Sequence, residues 1–277
     1  MVATAETPFS QRAKAAARPP VPSIAERMDQ GKQLRKQVQR SAHADWSPPA
    51  DRPDPLDLLQ EQDTTREQDL VPIRYGRMLV SPFAFYRGSA VVMARDLAGT
   101  PTTDLRVQAC GDAHLSNFGS FATPERNQVF DINDFDETLP APFEWDLKRL
   151  AASVMVASRA NGHKAADGAE AAAAAVRIYR ERMAEFATMG HLASWYNRIT
   201  GADIAAVAPR KVGKDFQRGL LKATHRDHLQ VFEKMVSAEG GNLRVVDDPP
   251  LVLHLDDAEV EERLRTVAKT YRSSIRD

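Results

Sequence analysis

The sequence predicts an α+β fold, mostly α, in which helices hold one small β element. Three observations carry this. Apolar residues recur at helical spacing over most of the 277 residues. Strand-like alternation is confined to two short runs, LRVQACGD and NQVFDIND. The helical pattern ends at Gly99, before these runs, and resumes after Glu144.

The elements follow in order. Residues 1–22, rich in Ala, Pro and isolated charges, are expected to form a disordered tail. Ser23 is a predicted N-cap for SIAERMDQGKQLRKQVQRSAH. That helix is basic, with Lys32, Arg35, Lys36 and Arg40, and its few apolar positions predict a solvated helix. Pro48, Pro49, Pro53 and Pro55 mark a linker, followed by short helices through Leu58, Leu59, Ile73 and Met78. FAFYRGSAVVMARDLAG has the pattern of one helix, with Phe83, Tyr86, Ala90, Met93 and Leu97 on one face. Residues 23–100 thus form an N-terminal helical region, and residues 101–277 a second unit. In the second unit LRVQACGD is expected to pair with NQVFDIND as a hairpin. Helices then follow from Glu144, from Lys164 to Met189 and from Val212 to Ala238. Val176, Tyr179, Met183 and Phe186 are expected to face a core. The extended piece LVLHL precedes a last amphipathic helix, Asp257 to Arg272.

Composition excludes several classes. Lys plus Arg number 37 against 38 Asp plus Glu, which is no surface built wholly for nucleic acid or anionic membrane. Lys211, Lys214, Arg218, Lys222 and Arg226 share a helical face, but no aromatic platform accompanies them, and a solvated face is expected. One cysteine, Cys110, rules out an intrachain disulfide and fits a reducing compartment. The first residues hold no apolar run of signal-peptide length, and no stretch reaches the roughly 18 apolar residues of a span. A cytoplasmic protein is the expectation. Cys110 itself is expected to be a buried small hydrophobe.

Chemistry concentrates in two segments. One is Gly111-Asp112-Ala113-His114-Leu115-Ser116-Asn117-Phe118-Gly119. The other, DINDFDETLPAPFEWD, holds Asp131, Asp134, Asp136, Glu137, Glu144 and Asp146 with no Lys or Arg. Carboxylates so close together repel unless a cation or proton sits among them, and magnesium accepts hard oxygen ligands of this kind.

Gly111-Asp112, His114 and Asn117 resemble the H-G-D-x-H-x-x-N loop of aminoglycoside and choline phosphotransferases, within the protein-kinase-like superfamily. Asp134-Phe135, followed 12 residues on by Asp146-Leu147, resembles the two motifs that come next in those enzymes. The resemblance implies a protein-kinase-like C-lobe, a small β hairpin carrying the catalytic loop and packed on helices, that uses Mg2+ and ATP. It implies Asp112 as the catalytic acid–base residue, with His114 as a loop-positioning or acceptor-side residue. Asn117 and Asp134 would hold the metal that bridges nucleotide phosphates, Asp131 or Asp136 a second metal or a water. Asp146 would be structural, bracing the loop backbone. Arg87 is a candidate for a nucleotide phosphate, or for pairing with a carboxylate.

GKQLRKQVQRSAHADW, VPIRYGRMLVSPFAFYRG, CGDAHLSNFG, FDINDFDETLPAPFEWDLKRLAAS and VDDPPLVLHL together resemble the bacterial domain-of-unknown-function family 2252, from about residue 25 onward. Cys110 stands where the phosphotransferase loop has His. No glycine-rich turn and Lys precede Asp112, and Gly31-Lys32 lies in a helical stretch. The resemblance places a V-G-x-G-S-x-G segment and a Lys-bearing strand after the catalytic loop, beyond residue 277. A C-terminally truncated, permuted kinase-like chain without its nucleotide-cradling lobe is therefore expected. The expected function is Mg2+- and ATP-dependent phosphoryl transfer to an unidentified small-molecule hydroxyl, with loss of that activity in the truncated chain as a further outcome. The alternatives are a non-catalytic binding module and a metal-dependent phosphoester hydrolase, the latter from the Asp112-x-His114 pair.

Overall fold

The computed structural model describes residues 22–208 except 126, and then 214, 218–219, 232, 234–239, 242–254 and 257–274. Residues 1–21 of the expected tail, and Lys211, Lys222 and Arg226 of the basic stripe, lie outside the described residues. The fold is α+β and mostly helical, with small antiparallel sheets.

The N-terminal helices are α1 (Ile24–Gln37), α2 (Pro55–Asp63), α3 (Val71–Met78), α4 (Pro82–Arg87) and α5 (Ala90–Ala98). Ser23 caps α1 in a reciprocal box with Glu26, satisfying two otherwise orphaned amides. Leu59, Met78 and Leu97 form the apolar centre of this part. The single helix expected from Phe83 to Leu97 is in fact two, α4 and α5, broken at Gly88 and Ser89. The break serves packing: a Cβ on Gly88 would lie 2.6 Å from the Met78 side chain. Gly88 also lends its carbonyl to Arg74 Nη2 at 2.6 Å.

The β element consists of β1 (Arg106–Ala109), β2 (Phe118–Ala122), β3 (Gln128–Ile132), β4 (Leu139–Pro142) and the short β5 (Ile199–Thr200). Here the expected pairing is corrected. β1 pairs with β4, not with the run 127–134, and β3 pairs with β2 and β5. The segment between the two strand-like runs supplies its own strand, so each run finds a different neighbour.

α6 (Phe143–Ala160) and α7 (Ala165–Phe186) form an antiparallel hairpin, joined by a turn with Gly162 at φ 76°. Gly168 brings the backbones close, with its notional Cβ only 2.8 Å from Ser158 Oγ, and Ala172 is buried with it. The stripe expected to face a core is largely exposed: Val176 37%, Tyr179 36% and Met183 48%. Tyr179 stacks on Phe143, the first residue of α6, so the end of α7 overruns its partner. Then come α8 (His191–Trp195), α9 (Gly201–Val207), a hairpin of β6 (Val236–Glu239) and β7 (Asn242–Val245), and a helix at Ala258–Ser274. β6 lies where helix was expected up to Ala238. Among the described residues no helix is long and apolar enough to cross a membrane.

Candidate functional site

The loop between β1 and β2 is fixed from three directions. Gly111 turns the chain at φ 82°, where a Cβ would overlap the Glu137 carbonyl. The Asp146 carboxylate, in the first turn of α6, accepts from the amides of Cys110 (2.8 Å) and Gly111 (3.0 Å). Ser153, two turns further along α6 and fully buried, accepts from the amide of Leu115 at 3.1 Å. Asn117 closes the loop from inside. Its Nδ2 donates to the carbonyls of Asp112 (3.0 Å) and Asp134 (3.1 Å), tying the two chemically dense segments together. Cys110 is buried, its thiol pKa pushed up mainly by that burial, and its Sγ donates to the Asp134 carbonyl. It is a packing residue, not an activated nucleophile.

Asp112 and His114 are both buried. Arg149 of α6 places Nε and Nη2 against Asp112 Oδ1, each at 2.5 Å. The same guanidinium donates to the Tyr86 carbonyl at 2.9 Å and lies over the Tyr86 ring at 4.4 Å. The Tyr86 hydroxyl donates to the Arg149 carbonyl at 2.8 Å, and burial pushes its pKa up to about 12, so it stays a donor. His114 Nε2 lies 3.5 Å from Asp112 Oδ2, and its Nδ1 is buried without a partner.

Burial lowers the His114 pKa below its ordinary 6.5; Arg149 and Arg87 add to this, and Asp112 opposes it. The unfolded chain therefore binds a proton that the fold refuses, and stability is lost as pH falls below 6.5 toward the folded-state value. Urea-denaturation midpoints are expected to fall across that window. In His114→Gln the decline should be shallower, and an unchanged slope would contradict this assignment.

These residues open onto a cleft of about 770 Å³. Asp112, His114, Asp134, Asp136 and Glu137 line it from the β element. Arg66, Arg74, Arg77 and Arg87 line it from the N-terminal helices and the segment before them. Partial burial and the fields of Asp112, Asp134 and Asp136 raise the Glu137 pKa above its ordinary 4.5. Asp131 is not part of this lining; it is exposed near the end of β3, where its carboxylate accepts from the amide of Ile132.

Two oxygens here are of the kind that a hard cation of the magnesium type takes: Asn117 Oδ1, buried and outside the cleft lining, and the Asp134 carboxylate within that lining. Because three acceptors hold Asn117 Nδ2, its Oδ1 is oriented as well, and that oxygen is buried without a partner. Asp134 is exposed in the cleft, its Oδ1 accepting only from the Asp136 amide at 3.2 Å. Among the described residues no group of three His, Cys, Asp or Glu could hold a metal. One carboxylate and one amide oxygen match an ion that takes its other ligands from water and phosphate.

Sequence reasoning brought Asp112, His114, Asn117, Asp134, Asp136, Asp146 and Arg87 to this region, but missed Arg149, Ser153 and the other arginines. Helix spacing carried a signal for Arg149 and Ser153, and composition one for Arg74 and Arg77. Asp146, Arg149 and Ser153 are spaced three and four apart, which puts them on one helix face amid apolar residues. Residues 70–95 contain no Asp or Glu yet four Arg, the complement of the base-free stretch 131–146.

Residues 66–277 match a bacterial family described as "Uncharacterized protein conserved in bacteria (DUF2252)". The match begins after α2, later than the residue 25 expected from the sequence. No curated protein and no solved structure matches this chain.

Proposed function

The chain belongs to that bacterial family, and from this premise we propose that it is a kinase-like phosphotransferase, dependent on Mg2+ and ATP, acting on a small-molecule hydroxyl. In this proposal residues 101–277 form a kinase-like catalytic lobe, and the N-terminal helical region closes one side of its cleft. The observation that carries the reading is the orphaned Asn117 Oδ1, held by the same amide that ties Asp112 to Asp134 beside a charged cleft. Such an oxygen lacks only a cation or a donor, and the exposed carboxylate of Asp134 supplies the matching charge.

When bound, the magnesium nucleotide supplies the electrophilic phosphoryl group. The chain's own residues do the rest. Asn117 and Asp134 would hold the metal, and Asp136, which lines the same cleft as Asp134, would take a water or a second ion. Asp112 Oδ1 is occupied by Arg149, which leaves Oδ2 to orient the acceptor hydroxyl and take its proton. Neutral His114 beside Oδ2 positions the acceptor side without adding charge. The test is calorimetric titration with Mg2+ and ATP. Asp134→Ala is expected to weaken binding at least about tenfold, the scale of one lost charge-assisted contact. An unchanged affinity would remove the metal assignment.

A second reading is favoured by one observation. Asp112 is tied to Arg149 inside the protein, as a purely structural pair would be, which fits a non-catalytic binding module.

A further inference from the structure

Four arginines line the cleft, yet they are not alike. Arg74 is fully engaged: it donates to Asp63 Oδ1 (3.0 Å), Gln62 Oε1 (3.2 Å) and the Gly88 carbonyl (2.6 Å). Arg66 lies 3.7 Å from the same Asp63. Arg77, one turn beyond Arg74 on α3, has no hydrogen bond or ion pair among the described residues. Neither does Arg87, in the last turn of α4. No carboxylate from residues 70–95 is available to either, because that stretch has none. The carboxylates that share their cleft do not come within ion-pairing distance. Two guanidinium groups are thus held apart from their counter-charges on a concave surface.

That placement is built. Arg74, braced on Asp63, accepts no role in ligand binding but locks α3 to α4 through the Gly88 carbonyl, and Tyr75 Oη donates to Asp63 Oδ2 at 2.7 Å from the other side. Met78 packs against Gly88 where any larger residue would push the two helices apart. The positions of Arg77 and Arg87 follow from this joint. His114, 6% exposed and lining the same cleft, adds an unpartnered Nδ1 that a ligand group can satisfy.

We propose that Arg77 and Arg87 form an oxyanion subsite of this cleft, one that takes phosphate-type groups and needs no metal. It rests on the cleft being the ligand site, as in the reading above, and adds that the ligand carries a phosphate contacted by arginine rather than by the cation. The planar fork of arginine suits such oxygens. The phosphate has two sources, the nucleotide or a phosphorylated acceptor.

The probe is inorganic pyrophosphate in EDTA, titrated into the full chain. Saturable binding is expected, weakening with added salt. Arg77→Ala and Arg87→Ala should each lower the affinity about tenfold or more. Both side chains are exposed, so the variants should fold, and equal melting temperatures verify it. Asp134→Ala should leave this metal-free binding unimpaired, which separates failure of the subsite from failure of the metal assignment. Absence of binding in EDTA, or binding indifferent to both arginines, overturns the proposal. Competition between pyrophosphate and magnesium ATP would assign the subsite to the nucleotide; simultaneous binding would assign it to a phosphorylated acceptor.

Discussion

Arg149→Ala is expected to destabilise the protein by about 3–5 kcal/mol, the cost of removing one partner from a buried ion pair. Arg149 is 2% exposed, and the buried Asp112 carboxylate would be left with neither guanidinium nitrogen to answer it. The Tyr86 carbonyl would lose its donor and the Tyr86 ring its cation. The pair is not thereby a source of net stability, since an apolar replacement of both partners can be neutral. A double-mutant cycle makes the distinction. Arg149→Ala with Asp112→Asn should fall short of the sum of the single losses by roughly 0.5–3 kcal/mol, the range for residues in contact. Urea denaturation at constant pH measures all three. Strict additivity would mean that the pair contributes nothing of its own.

Asp112→Asn is expected to lower kcat for phosphoryl transfer by about 10²–10⁴-fold, the usual contribution of a positioned base. Affinity for magnesium ATP should change little, because the metal assignment rests on Asn117 and Asp134. Asn keeps the side-chain shape and an acceptor oxygen for Arg149, so the loop should stay in place. Single-turnover kinetics below the melting temperature separate the chemical step from binding. Retention of full kcat would instead favour the structural role of the Asp112–Arg149 pair, and with it the binding-module reading.

Local signals served well where structure is local. The Ser23 cap, the strand-like character of residues 106–109 and 128–132, and the helix after Glu144 all depend on near neighbours, and all are present. What escaped was partnership across the chain. β1 finds β4 because β2 intervenes and takes β3, a choice that no alternation pattern encodes. The break at Gly88 answers to Met78, ten residues earlier. The exposed stripe on α7 follows from where α6 begins, not from the sequence of α7. In the site, the acidic residues were conspicuous because they cluster. Arg149 was not, because a lone Arg in a helix resembles a solvated one until its partner is placed.

The face of α6 that carries Asp146, Arg149 and Ser153 has a consequence for how order is acquired. Each of the three holds a different point of the 110–117 loop: the amides of Cys110 and Gly111, the carboxylate of Asp112 and the amide of Leu115. The loop's own ties, Asn117 to the Asp112 carbonyl and the turn at Gly111, are thus set against a helix that holds it at three further points. The loop takes the rigidity of a helix as a template, so loop and helix are expected to open and close as one cooperative unit, with matched hydrogen-exchange protection. Precision at Asp112 is in that sense inherited from the regular rise of eight residues of α-helix, and any change that tilts α6 moves all three anchors together.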